Sequence, residues 1–369
     1  APWYKMSEAQ KRLYIFEELD ESKSSYHVTS CYSLEGSFDS QKAEEVFRKF
    51  IQRHESLRSS FSFVGEDFRQ IIHEKAEYAM ERICLGDDSI EAGVKAFLKP
   101  YDLSKPALFR TALAENNRGE QWLILDFHHI IIDGFSVDIL LREFEILYNG
   151  GDLPPQNLQY RDYSAWLEEK DLRKAEAYWL NQFAQPLPDA DLPLDGKRRE
   201  DLSHEGELVE CALPALKKEE VEAFCKKQGV TPYAFFTAAV SAFLGRIYDT
   251  EDVALGMPVS CRTHGDTETV VGMLVNTIAL RTKPMGNKTF RAYLAEVKES
   301  LLSAMEHQEY PFNRLVEKAK AYRPNGRAPL FDVFFNYFHG DTMEVLKGEG
   351  FTVRDCPVNV GAGKFDLVF

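Results

Sequence analysis

Trp122-Leu-Ile-Leu-Asp-Phe127 runs directly into His128-His129-Ile-Ile-Ile-Asp133-Gly134-Phe-Ser136, and the rest of the chain is read outward from this stretch. The first six residues are strand-like. Beyond the Asp-Gly pair, Ser136 stands where a helix N-cap belongs, and Val137, Leu140, Leu141, Phe144 and Leu147 form an apolar stripe. Asn149-Gly150-Gly151 is a natural stop for that helix. A strand, a tight turn and a helix in this order predict an open α/β arrangement, in which ligands sit at such turns.

Residues 26–34 alternate, with Tyr26, Val28, Tyr32 and Leu34 on one side, which predicts a strand. After a turn at Gly36–Asp39, Ala43, Val46, Phe47, Phe50 and Ile51 recur at helical spacing. Residues 184–206 hold Pro186, Pro188, Pro193, Gly196 and the run Lys197-Arg-Arg-Glu-Asp201, and read as a linker. Thr231-Pro232 then opens a helix to about Arg246, strand-like runs cover 253–260 and 270–280, and Thr289 caps a helix carrying Phe290, Tyr293, Leu294, Val297, Leu301 and Met305. Strands and helices are mixed in both halves. The expectation is two α/β lobes, 1–184 with the histidine pair and 185–369 after it.

Composition narrows the function classes. The chain has 369 residues, 44% hydrophobic and 28% charged, close to the globular average. Its net charge of −15 is spread along the chain and repels phosphate backbones and anionic lipid, so neither nucleic acid nor a membrane surface is an expected partner. The longest nearly apolar stretch, Tyr233–Leu244, is too short to span a bilayer, and residues 1–30 lack the pattern of a signal peptide. The chain starts Ala-Pro-Trp-Tyr without a methionine, as expected of a piece cut from something longer. Six scattered cysteines without a CxxC pair point to idle thiols in a reducing cytoplasm.

The chemistry concentrates at the histidine pair. Neighbouring strand residues face opposite ways, so one histidine is expected to face a cleft and the other to pack inward. Asp133 is expected to anchor the loop if an arginine meets it, because a buried carboxylate without a partner is costly. The plainer alternative for a histidine on an apolar strand is a satisfied core residue. A metal site is not expected: the two rings diverge and no further ligand is spaced to join them. There is no G-x-S-x-G elbow and no paired glycine dinucleotide fingerprint. Gly361-Ala-Gly363-Lys364 fails as a phosphate loop because Val358 and Phe365 occupy the positions that need Gly and Ser/Thr. Such absences favour chemistry on a substrate that arrives already activated.

His128-His129-xxx-Asp133-Gly134 resembles the HHxxxDG signature of nonribosomal peptide synthetase condensation domains and their chloramphenicol acetyltransferase-like relatives. Six further segments resemble the family's other motifs, in order. Before the histidines come Ser7-Glu-Ala-Gln10-Lys-Arg12-Leu-Tyr14 and Arg53-His54-Glu55-Ser-Leu57-Arg58-Ser-Ser-Phe61. After them come Tyr160-Arg-Asp162-Tyr-Ser-Ala-Trp166 and Val271-Gly272-Met-Leu-Val-Asn276-Thr277-Ile-Ala-Leu-Arg281. His307-Gln308-Glu-Tyr310-Pro311-Phe312 and Arg323-Pro-Asn-Gly-Arg327-Ala-Pro329-Leu-Phe331 complete the series. The opening segment is most like the subtype joining an L-configured donor to an L-configured acceptor. Cyclising relatives carry aspartates in place of the histidines, and epimerisation domains usually carry Ser-Trp where this chain has Ser136-Val137. The family usually continues past a Phe-Asp-Leu sequence, so a chain stopping at Phe365-Asp366-Leu367-Val368-Phe369 looks truncated at its C-terminus.

The resemblance implies two chloramphenicol acetyltransferase-like lobes, each a mixed sheet flanked by helices, meeting at a central tunnel. It implies an acyltransferase in which an acceptor's α-amine attacks a donor thioester. Both substrates would arrive on the 4'-phosphopantetheine arms of upstream and downstream peptidyl carrier domains, beside an adenylation domain, with no cofactor held by the domain itself. His129 takes the catalytic position, as base or as an orienting group, while His128 is expected to be structural. Asp133 is expected to organise the loop by pairing with Arg281, with Arg58 as the competing partner. Gly134 is either a turn glycine or a backbone donor to the developing oxyanion. Ser136 and Asn336 are expected at the substrate, Asn336 alternatively being a strand-face amide. Arg12, Arg53 and Arg58 are expected to brace the first lobe, and Trp166 to lie in its core. The competing readings are epimerisation or another acyl transfer on the same fold, and an inactive carrier-binding fragment.

Overall fold

Capping side chains and apolar spacing account for where most elements begin and end. The computed structural model describes residues 2–19, 26–188, 192–193, 196, 206–213, 216–323, 327–338, 344–348, 350–359, 361, 363 and 365–369. The chain divides into two compact units, 1–170 with 262–274 and 340–362, and 171–261 with 275–339 and 363–369. The single boundary expected at 184/185 therefore does not describe the chain. Two later segments return to the first unit, for reasons of pairing given below. Most of the expected linker lies outside the described residues.

The first unit opens with β1 (Trp3–Lys5), α1 (Glu8–Leu19), β2 (His27–Gly36), α2 (Ser40–Arg53), β3 (Ser59–Val64) and β4 (Asp67–Ile72). It continues through β5 (Glu81–Gly86), α3 (Ile90–Phe97), β6 (Phe109–Asn116), β7 (Gln121–His128), α4 (Gly134–Tyr148) and α5 (Tyr160–Glu169). The second unit holds α6 (Arg173–Gln182), α7 (Lys218–Gln228), α8 (Pro232–Ile247), β8 (Val253–Val259), β9 (Asn276–Thr282), α9 (Phe290–Glu306), α10 (Phe312–Lys318) and β10 (Val333–Phe334). Then β11 (Glu344–Gly348) and β12 (Phe351–Asp355) belong to the first unit, and β13 (Leu367–Val368) to the second.

The main sheet of the first unit has the order β11-β12-β2-β7-β6-β5, with β5 and β6 parallel and the other neighbours antiparallel. β7 is an interior strand of this sheet, and its residues 123–128, which alternate between the two faces, are all buried. Phe127 stacks on Phe109, its register partner, with ring centroids 4.5 Å apart, and Phe47 of α2 packs against Phe109 and against Phe144 of α4. On the opposite face Ile124 joins Cys31, Ala112 and Ala114 under Val94 and Phe97 of α3. α2 forms because Asp39 accepts the N–H groups of Gln41 and Lys42, and Ala43, Val46, Phe47, Phe50 and Ile51 are buried at the expected spacing. A smaller sheet, β1-β4-β3, completes the unit.

In the second unit β13-β10-β8-β9 form one mixed sheet. Thr231 caps α8, with Pro232 in its first turn, and Thr289 caps α9, whose Tyr293, Leu294, Val297 and Leu301 are buried. The strand expected over 270–280 begins only at Asn276. Residues 270–274 are buried for another reason: they form a loop whose backbone serves the site described next. Trp166, expected in the core, is 36% exposed, with the Lys170 ammonium over its ring. Among the described residues no single helix is long and apolar enough to cross a membrane.

β12 extends the main sheet by pairing along β2, and Phe351 packs edge-on against Phe38 and Tyr148. At the pairing's end Gly36 has φ +95°, and a Cβ there would lie 2.2 Å from the Gly350 carbonyl oxygen. Gly36→Ala should therefore destabilise the protein by about 2 kcal/mol or more, seen as a lower urea midpoint. Motif residues also tie α2 to α4: Arg53 Nε donates to Glu143 Oε1 (3.0 Å), and His54 Nε2 lies 2.7 Å from Glu143 Oε2. Burial raises the Glu143 pKa, but His54 and Arg53 outweigh it and hold the carboxyl below its ordinary value. Its stabilisation is present above the unfolded value of about 4.3 and is lost as pH falls through the lower folded value. Acid denaturation curves of Glu143→Gln should be flatter in that window than those of the parent.

Candidate active site

His128 ends β7, and His129 opens a 3-10 turn, His129–Ile131, that leads to Asp133 and α4. His128 is 1% exposed and faces inward. Its Nδ1 accepts the Ile130 N–H at 3.0 Å, so the side chain caps the turn that follows it. A neutral imidazole carries one N–H, which that acceptor role places on Nε2. Nε2 lies 3.4 Å from Oε2 of the buried Glu17. The His128 backbone N–H donates to the Leu108 carbonyl (2.9 Å), and that of His129 donates to the Tyr26 carbonyl (2.8 Å). His129 itself is half-buried, the one titratable side chain of the 128–134 segment with access to solvent.

Behind His128 lies a polar cluster on the same sheet face. Asp126, fully buried, is met by His27 Nδ1 (2.9 Å) and accepts from Thr29 Oγ1 (3.1 Å) and the Tyr101 hydroxyl (2.8 Å). His27 is the register partner of His128 across the ladder. The Tyr101 ring stands at 90° to His128 with centroids 5.9 Å apart. Burial and the neighbouring Asp126 carboxylate push the Tyr101 pKa well above its ordinary value, so its hydroxyl stays a donor.

Asp133 is completely buried and fully engaged. Arg262 grips it bidentately, NH1 to Oδ2 and NH2 to Oδ1, both at 3.0 Å. Leu274 N–H donates to Oδ2 (3.0 Å), and Ser136 N–H (2.8 Å) and Oγ (2.7 Å) donate to Oδ1. This corrects three expectations. Arg281 does not pair with Asp133; it binds Asp252, through Nε at 2.8 Å and NH2 at 2.6 Å, and the carbonyls of Gln182 and Gln185. Arg58 donates to the His73 carbonyl instead. Asp133, not Ser136, is the N-cap of α4; Ser136 is fully buried as the third helical residue and is no surface for substrate. Its Oγ accepts from Arg262 (2.9 Å) and from Gly272 N–H (3.1 Å).

The 271–274 backbone is held residue by residue. Ser56 Oγ donates to the Val271 carbonyl (2.8 Å), Gly272 meets Ser136, the Tyr160 hydroxyl donates to the Met273 carbonyl (3.0 Å), and Leu274 reaches Asp133. Tyr160 OH also lies 2.6 Å from Ser7 Oγ. A Cβ on Gly272 would sit 2.2 Å from the Tyr160 ring, so only glycine fits. Gly134 is exposed, and apart from its chain neighbours and its own helix's backbone no described atom lies within 4 Å of where its Cβ would be. Its N–H is among the first of α4, which have no intrahelical acceptor.

Two other predicted residues have partners of their own. Arg53 spans Glu143, the Pro154 carbonyl and Gln156, bracing the first unit. Asn336 is in the second unit, where its N–H donates to the Phe369 carbonyl (2.8 Å). In the same unit Asn276 Nδ2 donates to the carbonyls of Gln308 and Tyr310, joining the fifth and sixth motif segments, and Arg323 and Arg327 converge on Asp332. Arg262 is not singled out by the sequence because it stands outside every motif segment. Its one signal is position, just past a strand and ahead of Val271-Gly272.

The family model for the condensation domain matches residues 2–369, and the chain belongs to that family. Bacitracin synthase 1 of Bacillus licheniformis is 37% identical over 370 residues, which cover 99% of this chain and 7% of the synthase. Tyrocidine synthase 3 of Brevibacillus parabrevis is 38% identical over 369 residues, 99% of this chain and 6% of that synthase. The chain thus spans a small fraction of the curated relatives it matches. Among solved structures, the X-domain from teicoplanin biosynthesis superposes with a TM-score of 0.86 at 21% identity, over 99% of this chain and 84% of that one. The condensation domain from Monacolin K polyketide synthase gives 0.87 at 21% identity, over 100% and 88%. These likenesses establish the mixed α/β, chloramphenicol acetyltransferase-like fold.

Breaking the Asp133 clamp leaves a buried charge without its counter-charge. Arg262→Ala should cost about 3–5 kcal/mol of stability, and adding Asp133→Asn should restore part of it, because an amide needs no counter-ion. A double variant less stable than Arg262→Ala in chemical denaturation would contradict the clamp's assigned role.

Proposed function

We propose that the chain joins an L-configured donor, held as a thioester on an upstream carrier domain, to the α-amine of an L-configured acceptor on a downstream carrier domain, with His129 acting on that amine. The observation carrying this reading is the contrast within one segment. His128 and Asp133 are buried and committed to the turn, while His129 is partly exposed on a backbone fixed at both ends.

The chemistry asks little of the protein. The amine lone pair attacks the thioester carbonyl, the carbon–sulfur bond breaks, the thiolate leaves on the donor's arm, and the ammonium of the nascent amide gives up a proton. An imidazole with an ordinary pKa of about 6.5 is suited to accept that proton, or before attack to take one from an α-ammonium of ordinary pKa about 7.7–8.0 and orient the amine. Holding the two reactants in line supplies much of the acceleration. The Gly134 N–H, at the positive end of α4, is the backbone donor we assign to the developing oxyanion. The L/L preference rests on the opening segment Ser7–Tyr14, while the intact histidine pair speaks against a cyclising relative.

The test is amide formation from carrier-loaded L- and D-donors. The L-donor should give amide, and His129→Ala should slow it by about 100-fold or more while carrier binding persists. Racemised donor without amide would favour epimerisation. Carrier binding without turnover in the parent would favour a docking fragment, and unchanged turnover in His129→Ala would remove that residue from the mechanism.

A further inference from the structure

We propose that Glu17 is a positioning residue for the reaction: its carboxylate fixes the His128 tautomer that caps the turn presenting His129. The inference rests on the assignment of His129 made above. Glu17 is 1% exposed on α1, and among the described residues its oxygens accept no hydrogen bond. Their nearest recorded nitrogen is His128 Nε2, 3.4 Å from Oε2. That is the nitrogen left with the proton when Nδ1 accepts from Ile130.

The surrounding groups are already committed. Asp126 is engaged by His27, Thr29 and Tyr101, and the Tyr101 hydroxyl is turned to Asp126 rather than to His128. Glu17 is therefore placed to stabilise the Nε2–H form by the attraction of its nearer oxygen for that N–H dipole in a buried site, where such attraction is strong. Moving the proton to Nδ1 would remove the acceptor of the Ile130 N–H and uncap the turn. α1 holds that turn at a second point as well. Gln10, seven residues before Glu17 and thus on the same helix face, donates Nε2 to the Ile130 carbonyl at 3.5 Å. One helix face thus contacts both the ring that caps the turn and the turn's own backbone, while His129 projects from the turn with its N–H fixed to Tyr26.

Reach, more than charge, should decide the effect. Glu17→Gln keeps an acceptor at the same distance and should stay within about threefold of the parent in kcat. Glu17→Asp, which withdraws the carboxylate by a methylene, and Glu17→Met, which fills the volume without an acceptor, should lose about 10- to 100-fold in kcat with KM little changed. His128→Asn retains a side-chain oxygen for the Ile130 N–H, and in that background Glu17→Met should have no further effect on turnover. Independently of activity, 15N-histidine spectra of the whole chain should show His128 protonated at Nε2 in the parent and in Glu17→Gln, and a mixed tautomer in Glu17→Asp. This readout stands even if the parent forms no amide, so it separates failure of the inference from failure of the assigned reaction. An unchanged His128 spectrum in Glu17→Asp, or an equal loss from Glu17→Met with and without His128→Asn, would overturn the proposal. If Glu17→Met does not fold, the Glu17→Asp arm decides alone.

Discussion

Asp133 carries a carboxylate into a fully buried place, and much of the first unit's site is arranged around that constraint. A fully buried carboxylate is tolerable only when its lone pairs are met by donors and its charge by a cation in good geometry. Arg262 supplies the cation, and Leu274 and Ser136 supply the remaining donors. Because Arg262 and Leu274 bracket one loop, satisfying the aspartate also fixes the path of residues 262–274. The same loop then becomes the meeting point for Ser56, Tyr160 and, through Tyr160, Ser7. Segments far apart in sequence are thereby held by one electrostatic requirement, which also sets the start of α4 and the turn before it.

The division of labour within the histidine segment follows from that rigidity. His128 uses its ring as a structural acceptor, and Asp133 uses its carboxylate as both a helix cap and the centre of the clamp. His129 is the group left accessible, on a backbone fixed by Tyr26 before it and by α4 after it. A reaction that depends mainly on orientation benefits from such an arrangement, since small misplacements of the reacting groups are costly. In the second unit a comparable economy appears. Asn276 joins two motif segments, and Asp332 gathers two arginines from the last one.

Much of the fold was legible locally. The strands around 26–34 and 122–127 and the helices after Asp39, Thr231 and Thr289 show the periodicity and caps that physics requires of them. Misreadings came where a residue's environment overrides its local pattern. Val270, Val271, Met273 and Leu274 look like a strand because they are apolar; they are buried as a loop whose polar backbone is claimed by side chains from elsewhere. Ser136 resembles an N-cap, but an aspartate three residues earlier takes that position and draws Ser136 into its own clamp. Arg281 looks like the counter-ion because it ends a motif, yet Asp252, just before the neighbouring strand β8, is the carboxylate it binds.

By itself the sequence singled out the histidine segment as the candidate site, because residue type and spacing there are covalent facts read along one strand and one turn. It also determined the family, through seven segments in fixed order. Only the tertiary structure decided which cation meets Asp133, which histidine is accessible, and what His128 touches. Those outcomes depend on contacts between residues 100 or more positions apart, such as Glu17 with His128 and Asp133 with Arg262. No local periodicity encodes them, since what selects them is the cost of leaving a buried charge or N–H unmet.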